Sequence, residues 1–173
     1  MNMEKVSQNS NCPSGSCPEK EEESNEVISL SQGSGGVEMN QLIKSITKNL
    51  YRGEWKNIDN DSATINNLAF TTDSYIVTPL FFSGGNIGSL AFCGTINDLS
   101  VIGASPLGLS LSIVIEEGFS KNKLNEIIQT ISDLSNKYKI PIVTGDTKVM
   151  EKGSVDKIII TSSGIGKITT PLT

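Results

Sequence analysis

The sequence contains no histidine among its 173 residues. Histidine is the most common metal ligand in proteins and the usual general base near neutral pH. Catalysis by Ser-His-Asp or Cys-His groups, and zinc sites built from His and Cys, are therefore excluded within this chain. Cysteine is also scarce: three residues cannot build a disulfide framework, and a cytosolic protein would not keep one.

Aromatic residues, positive charge and long apolar runs are scarce as well. Aromatic side chains make up 5% of the chain and the net charge is −5, so neither base stacking nor phosphate contacts favour a nucleic-acid partner. No apolar run approaches the roughly 20 residues that span a bilayer, and the polar N-terminus lacks a signal-peptide pattern. We therefore expect a soluble, cytoplasmic protein without a membrane or nucleic-acid partner.

Residues 1–26 are almost entirely polar and include an acidic run, a composition typical of a disordered tail. Cys12 and Cys17 lie in this tail. They could bind a metal or pair reversibly, but the lack of further Cys or His nearby favours a solvated tail. The remaining chain is long enough for one domain with its own core.

A glycine-rich segment precedes the first predicted helix. Residues 27–30 are predicted as a short strand, residues 31–36 as a flexible loop, and residues 38–51 as a helix with one apolar face. A glycine loop before a helix is the general form of a phosphate-binding element, because the helix N-terminus carries partial positive charge. A plain flexible hinge is the alternative interpretation of the same residues.

Two aspartates flank a predicted β-hairpin. Residues 62–65 and 68–72 read as strands joined by a two-residue turn, Asn66-Asn67. This pairing would bring Asp61 and Asp73 to neighbouring outer strand ends, where two carboxylates repel unless a cation lies between them. Ordinary turn aspartates are the alternative.

The next predicted helix, residues 87–102, is capped by Asn86 and is apolar on nearly every side. Such a helix is expected to be buried, so Asn97 and Asp98 would need a partner or a ligand there. Cys93 has no base or cation nearby in sequence and is interpreted as an inert core residue.

The last part of the chain alternates strands with a helix. The sequence predicts a strand at 107–115, a helix capped by Ser120, a strand at 141–143 that runs into residues 144–148, and a strand pair within 156–168. Together with the hairpin, this order predicts an α+β domain whose helices cover one face of a mixed β-sheet.

Carboxylates, glycines and a lysine recur at or beside the predicted element ends. Asp73, Asp98 and Asp146 would supply oxygen ligands for a hard metal ion, while glycine-rich backbone N–H groups and Lys148 suit phosphates. The residues therefore predict a site for a magnesium–triphosphate complex.

Three motifs are specific enough as a set to indicate a family. They are Phe70-Thr71-Thr72-Asp73-Ser74, Cys93-Gly94-Thr95-Ile96-Asn97-Asp98-Leu99 and Thr144-Gly145-Asp146-Thr147-Lys148. Over residues 27–168 the chain resembles the HypE family of hydrogenase maturation factors, which is similar to AIR synthase (PurM) and selenophosphate synthetase, both ATP-using enzymes. The resemblance implies a PurM-like N-terminal domain for nucleotide binding and dimerisation, with residues 169–173 beginning a linker to a C-terminal domain.

The resemblance also implies an activity and partners. Members of the family form homodimers that pair the sheets of their N-terminal domains, with ATP and Mg²⁺ near that interface. They dehydrate a thiocarboxamide on a C-terminal cysteine to a thiocyanate, which provides cyanide for nickel–iron hydrogenase. HypF supplies the carbamoyl group and the HypC–HypD complex receives the cyanide.

The site residues of the family correspond to matching positions in this sequence. The resemblance implies magnesium ligands at Asp61, Asp73 and Asp98, and nucleotide contacts at Gly33, Ser34, Gly35, Gly36, Asn97, Gly145, Asp146 and Lys148. The family usually has histidine at the position of Gln32.

The family chains are about twice as long as this one, and the C-terminal cysteine is absent here. We therefore expect no catalytic residue in this chain, and nucleotide binding with dimerisation as its activity. Within the superfamily the alternatives are a thiamine-monophosphate kinase or a selenophosphate synthetase. The alternative of another class is a non-catalytic dimerisation module that pairs through its exposed sheet edge.

Overall fold

The computed structural model describes residues 27–169 of the chain. The chain divides after Tyr51 into two compact units. The predicted disordered tail, with Cys12 and Cys17, lies outside the described residues, as do residues 170–173. No helix in the described part of the chain is both long and apolar enough to cross a membrane.

The N-terminal unit holds a 3-10 helix, Leu30–Gly33, followed by helix α1, Gly36–Thr47. The predicted strand at residues 27–30 is wrong, because a local hydrogen bond favours a turn there. The side-chain oxygen of Gln32 accepts this bond from Ser29 N at 2.9 Å.

Two glycines shape the entry to α1. Gly35 and Gly36 have φ values of +84° and +79°, which residues with a side chain rarely adopt. The predicted order of glycine loop and helix is confirmed, although α1 ends at Thr47 rather than Tyr51. No α1 side chain is buried, so the predicted apolar face covers no core within this unit.

Over its described residues, 52–169, the C-terminal unit contains seven strands and two helices. In chain order they are β1 Ala63–Ile65, β2 Leu68–Tyr75, β3 Phe81–Phe82, β4 Gly85–Asn86, α2 Ile87–Val101, β5 Ala104–Glu116, α3 Lys121–Tyr138, β6 Ile142–Met150 and β7 Ile158–Ile168. Five strands form one sheet in the order β1-β2-β7-β5-β6, while β3 and β4 pair separately. Strands β5 and β6 are parallel and the other neighbours in the sheet are antiparallel, so the predicted mixed sheet is confirmed.

The predicted hairpin is confirmed as the pair β1 and β2. Ala63 pairs with Phe70 and Ile65 with Leu68. Asn66 has a φ of +53°, as the tight turns of two-residue hairpins require.

Two glycine-containing segments lie within single long strands, whereas the sequence predicted a strand pair at 156–168 and a strand at 141–143 that runs into residues 144–148. Residues 156–168 contain one strand, β7, because Gly164 packs against α2: a Cβ there would lie 2.9 Å from Thr95 Cγ2. Residues 144–148 continue strand β6, where a Cβ on Gly145 would collide with a carbonyl oxygen of β5. Glycine in these strands permits close packing, which a sequence pattern does not distinguish from a turn.

Helices α2 and α3 pack side by side on one face of the sheet. Asn86 caps α2 and accepts hydrogen bonds from Gly88 N at 2.8 Å and Ser89 N at 3.2 Å. Ser120 caps α3, so both predicted caps are confirmed. The centre of the shared core is fully buried and consists of Ile87, Phe92, Leu109, Ile127, Ile158 and Ile160.

Helix α2 is not buried on every side. Leu90 is 38% exposed and Val101 is 54% exposed, and Cys93 is exposed as well. The two helices form a single layer, so their side chains that point away from the sheet lie at the surface. The predictions of full burial for this helix and of a core position for Cys93 are therefore wrong.

Alternation along the strands gives the sheet two distinct faces. The helix-covered face carries Thr71, Asp73 and Tyr75 of β2, with Ser162 of β7 opposite Asp73. The other face, which we call the open face, is rich in hydroxyl groups. By register the open face includes Phe70, Thr72, Ser74, Ser110, Ser112, Val114, Thr144, Asp146, Lys148, Ile159, Thr161, Ser163 and Ile165.

Candidate functional site

Three aspartates from different elements lie near one another on the helix-covered side of the sheet. Asp61 precedes β1, Asp73 lies within β2, and Asp98 lies in the last turn of α2. Both Asp73 and Asp61 act electrostatically on Asp98 and raise its pKa. We call these three residues the carboxylate cluster.

Two hydroxyl groups connect the hairpin to α2 at this cluster. Thr71 Oγ1 lies 2.8 Å from the carbonyl oxygen of Asp61 and 3.0 Å from Asp98 Oδ2. Ser62 Oγ donates a hydrogen bond to the carbonyl oxygen of Asp98 at 2.8 Å. Both Thr71 and Ser62 are buried, so water does not compete freely for these bonds.

The pKa of Asp98 is raised above its usual value. Burial is the largest cause, and repulsion from Asp73 and Asp61 adds to it, while the hydrogen bond from Thr71 lowers the pKa. A cation that binds between like charges relieves their repulsion. The cluster therefore has the electrostatics of a cation site.

Tyr75 lies beside the same cluster. Burial, the largest cause, raises the pKa of its phenol to about 12, and the charges of Asp73 and Asp98 act in the same direction. The phenol oxygen is 3.4 Å from Thr95 Oγ1. Tyr75 is therefore protonated at any physiological pH and can donate a hydrogen bond.

The sequence interpretation missed the hydroxyl groups around the carboxylates: Thr71, Tyr75, Ser62 and Ser162. A signal was present for two of them, because period-two alternation puts Thr71 and Tyr75 on the same strand face as Asp73. No local pattern indicates Ser162, which β7 brings opposite Asp73 from far along the chain. Its hydroxyl is buried and has no hydrogen-bond partner among the described residues.

The carboxylate cluster suits Mg²⁺ in donor chemistry. No three Asp, Glu, His or Cys side chains within residues 27–169 are arranged closely enough to hold a metal ion by themselves. Mg²⁺ does not require such an arrangement, because it is usually bound by one or two carboxylates together with waters and substrate phosphates. The oxygen ligands of the cluster fit that pattern.

Asp146 and Lys148 do not join the cluster within one copy of the unit. They lie in the middle of strand β6 rather than at an element end, with Lys148 Nζ 3.8 Å from Asp146 Oδ2. Asp146 pairs with Ser112 and is on the open face, whereas Asp73 is on the helix-covered face. Strands β2 and β6 are also three strand spacings apart, or about 14 Å.

Asn97 lies next to Asp98 in sequence but points elsewhere, because consecutive helical residues are about 100° apart. It lines a groove of about 250 Å³ between α2 and the end of α3. The other residues that line this groove are Phe92, Cys93, Ile96, Tyr138 and Ile140. The predicted glycine loop, Gly33 to Gly36, belongs to the N-terminal unit.

The fold and the carboxylate cluster together define a class of domain. The family model described as AIR synthase related protein, N-terminal domain, matches residues 59–168. The chain belongs to this family, and the predicted PurM-like fold is confirmed.

Within the family the chain is similar to carbamoyl dehydratase HypE. It is 46% identical over 143 residues to the HypE of Rhizobium leguminosarum bv. viciae, covering 80% of this chain and 41% of the relative. It is 43% identical over 150 residues to the HypE of Escherichia coli strain K12, covering 82% of this chain and 45% of the relative. The chain thus spans less than half the length of these relatives, and the predicted resemblance to HypE is confirmed.

Solved structures of similar proteins agree. A HypE–HypF complex matches with a TM-score of 0.69 and 45% identity over 75% of this chain and 43% of that chain. A HypE in complex with ATP matches with a TM-score of 0.60 and 35% identity over 82% of this chain and 43% of that chain. Thiamine monophosphate kinase from Aquifex aeolicus, at 18% identity and a TM-score of 0.56 over 81% of this chain and 44% of that chain, shares the fold.

Proposed function

We propose that this chain is the nucleotide-binding and dimerisation half of a HypE-type protein for hydrogenase maturation, and that it binds ATP with Mg²⁺. The observation that carries the proposal is the carboxylate cluster, whose mutual repulsion contributes to the raised pKa of Asp98. A cation relieves such repulsion, and ATP is bound together with Mg²⁺ in most proteins that use it. The similar HypE described as a complex with ATP gives separate support.

In this proposal Asp61, Asp73 and Asp98 hold the metal ion. Backbone N–H groups of the glycine loop before α1 contact phosphates, because the N-terminus of that helix attracts negative charge. The ammonium group of Lys148 offsets the triphosphate charge. The complete set of proposed nucleotide contacts is Gly33, Ser34, Gly35, Gly36, Asn97, Gly145, Asp146 and Lys148.

We infer that a second copy of the chain completes the site. Asp146 and Lys148 are on the open face and the carboxylate cluster is on the opposite side of the sheet, so one copy does not direct both groups at one ligand. In the proposed homodimer the open faces pair and β6 of one copy extends past the β1 edge of the other, so that its Asp146 and Lys148 reach the nucleotide at the other copy's carboxylate cluster. The proposed homodimer is therefore part of the proposed site.

For the complete HypE-type protein we propose ATP-dependent dehydration of a protein thiocarboxamide to a thiocyanate. The carbonyl oxygen leaves as phosphate after transfer of a phosphoryl group from ATP, and the nitrogen loses two protons as the carbon–nitrogen triple bond forms. The cysteine that carries this group would belong to the part of HypE-type proteins that this chain does not cover. No residue of this chain is therefore assigned a catalytic role.

The proposed partners follow from the same reaction. HypF would supply the carbamoyl group, and a HypC–HypD complex would receive the cyanide. The similar HypE in complex with HypF supports the first of these partners. We propose a cytoplasmic location, where ATP is available.

Calorimetry of ATP binding to the full chain, with and without Mg²⁺, tests the proposal. We predict magnesium-dependent binding that Asp73→Asn weakens about tenfold or more, which corresponds to roughly 1.4 kcal/mol. Asp133→Asn is the matched control, because Asp133 lies on α3 and accepts a hydrogen bond from Gln129. This control should bind ATP as the wild type does.

Equal affinity of Asp73→Asn and wild type would contradict the metal role of Asp73. Absence of wild-type binding at millimolar ATP would overturn the proposal as a whole. Dimerisation without any nucleotide dependence would then favour a non-catalytic interaction module.

A further inference from the structure

We propose that Thr71 and Ser62 are positioning residues that hold Asp61 and Asp98 in the geometry that binds the cation. The inference rests on the proposed function, because it assigns these two hydroxyl groups a role at the same site. Neither residue is proposed to contact the metal ion or the nucleotide. Together they form a connection between the hairpin and α2, which we call the hydroxyl clamp.

Thr71 is the central member of the hydroxyl clamp. Its Oγ1 lies 2.8 Å from the carbonyl oxygen of Asp61 and 3.0 Å from the carboxylate oxygen Oδ2 of Asp98. The hydroxyl has one proton and donates to one of these acceptors at a time. Thr71 is 4% exposed, so neither acceptor can readily exchange it for water.

Asp61 depends on this contact because it lies outside the sheet. Strand β1 begins at Ala63, so the strand ladder does not fix the backbone of Asp61. Among the residues that the structure describes, Thr71 provides the hydrogen bond to Asp61. Loss of the hydroxyl would therefore free the segment that carries one of the three carboxylates.

Ser62 fixes the other side of the connection. Its Oγ donates to the carbonyl oxygen of Asp98 at 2.8 Å, and Ser62 is 1% exposed. Asp98 is in the last turn of α2, where carbonyl oxygens have no partner within the helix. The serine thus caps the C-terminus of α2 from the hairpin and joins Asp98 to the residue that follows Asp61.

These contacts hold the segment that carries Asp61 in a fixed position relative to the last turn of α2, which carries Asp98. Residues that hydrogen-bond to metal ligands without contacting the metal typically contribute about 10- to 100-fold to metal affinity. A side chain that acts only on stability would not change affinity in this way. The two roles can therefore be separated by measuring both quantities on the same variants.

The test uses the full chain with Thr71→Val, which keeps the side-chain shape but removes the hydroxyl, and Thr71→Ser, which keeps the hydroxyl. The matched control is Thr64→Val. Thr64 is a buried threonine of the same hairpin, and its hydroxyl accepts a hydrogen bond at 3.0 Å from the Asn57 amide rather than contacting a carboxylate. Mg²⁺–ATP affinity is measured by calorimetry, and amide hydrogen exchange of residues 59–62 is measured by NMR without nucleotide.

We expect Thr71→Val to weaken Mg²⁺–ATP binding about tenfold or more and to speed exchange in residues 59–62. Thr71→Ser should restore affinity to within about twofold, since the hydroxyl is what the clamp requires. Thr64→Val should lose stability comparable to that lost by Thr71→Val while its affinity and its exchange in residues 59–62 stay as in wild type.

Unchanged exchange in Thr71→Val would overturn the clamp whether or not the wild type binds ATP. Increased exchange with unchanged Mg²⁺–ATP affinity would overturn the positioning role and leave a structural contact. If the wild type does not bind Mg²⁺–ATP at all, the proposed function fails first, and the positioning role fails with it.

Discussion

At the scale of single residues, the raised pKa of Asp98 lowers stability at neutral pH, a cost that the proposed cation binding would offset. Its folded-state pKa is raised above the usual 3.8, so the folded chain holds the proton more tightly than the unfolded chain does. Stability therefore falls as pH rises from about 3.8 through the raised value, and the loss is complete above it. The groups that face Asp98 and determine this balance are Asp73, Asp61, Thr71 and Tyr75.

We predict that Asp98→Asn raises the melting temperature at pH 7 in the absence of divalent cations. The substitution removes a half-buried charge and keeps an oxygen that can accept a hydrogen bond from Thr71. The difference from wild type should shrink as the pH is lowered through the raised value and below 3.8, because Asp98 then becomes protonated in the unfolded state as well as in the folded state. Thermal denaturation followed by circular dichroism across this pH range measures the effect.

Asp133→Asn is again the matched control and should leave the pH profile as it is in wild type. A lower melting temperature of Asp98→Asn at pH 7 would mean that the carboxylate stabilises the fold. That result would contradict the repulsion on which the cation site is argued.

Residue types predicted the chemistry of this site better than its geometry. The sequence predicts Asp73 and Asp98 as oxygen ligands for a hard cation and places Asp61 near Asp73 through the hairpin, and the structure brings the three near one another. Asp146 and Lys148 were selected on the same chemistry but lie on the other face of the sheet. A sequence pattern does not reveal which face a strand residue occupies until the strand's limits are known.

At the scale of elements, the approach of α2 to α3 depends on Gly88. A Cβ at this position would lie 2.7 Å from the carbonyl oxygen of Ile127 and 3.0 Å from Asn86 Oδ1. The first is a backbone atom of the neighbouring helix, so it cannot move aside as a flexible side chain would. The same asparagine oxygen caps α2, so crowding here would disturb the helix start as well.

We predict that Gly88→Ala destabilises the fold by about 1–2 kcal/mol. Overpacking typically costs about 1–3 kcal/mol, and the better helix propensity of alanine offsets up to about 1 kcal/mol of it. Urea denaturation measures the change in the free energy of unfolding. Ser100→Ala, on the exposed side of the same helix, is the control and should stay within about 0.5 kcal/mol of wild type.

An unchanged or higher free energy of unfolding for Gly88→Ala would mean that α3 can shift away at little cost. The close packing of the two helices would then not depend on this glycine.

Elements defined by caps and periodicity were predictable, whereas elements defined by packing were not. Asn86 and Ser120 mark helix starts through local hydrogen bonds, and the hairpin follows from its two-residue turn. Gly145 and Gly164 resemble turn residues in sequence, but each permits close packing within a strand. Glycine is required at both positions because a distant element packs closely against each of them. A local sequence pattern does not contain such a contact.

At the scale of the whole molecule, the open face provides the surface on which two copies are proposed to meet. Its centre is Ser163 in β7, the middle strand of the sheet. The hydroxyl of Ser163 is 2.9 Å from Thr72 Oγ1 on the neighbouring strand. A large charged side chain at this position would point directly from the open face.

We predict that Ser163→Arg converts the proposed homodimer to a monomer and weakens ATP binding in parallel. The arginine would be brought against its own copy at the proposed interface, and a desolvated like-charge pair opposes association. Sedimentation equilibrium gives the mass, and circular dichroism checks that the fold is retained. Ser132→Arg, on the exposed side of α3, carries the same charge and should leave the mass unchanged.

A wild-type chain that sediments as a monomer with and without ATP would contradict the proposed homodimer. A dimer that Ser163→Arg leaves intact would mean that the copies meet through another surface.

The central position of β7 also has a consequence for how the protein is made. Among the described residues β7 comes last in sequence, yet it lies between β2 and β5 and pairs with both. Until the ribosome has released it, β2 and β5 expose unpaired edges on each side of a gap. Pairings between such distant parts of a chain form slowly, and unpaired strand edges are prone to aggregation. The exposed edges of β2 and β5 in a nascent chain therefore need protection until β7 emerges.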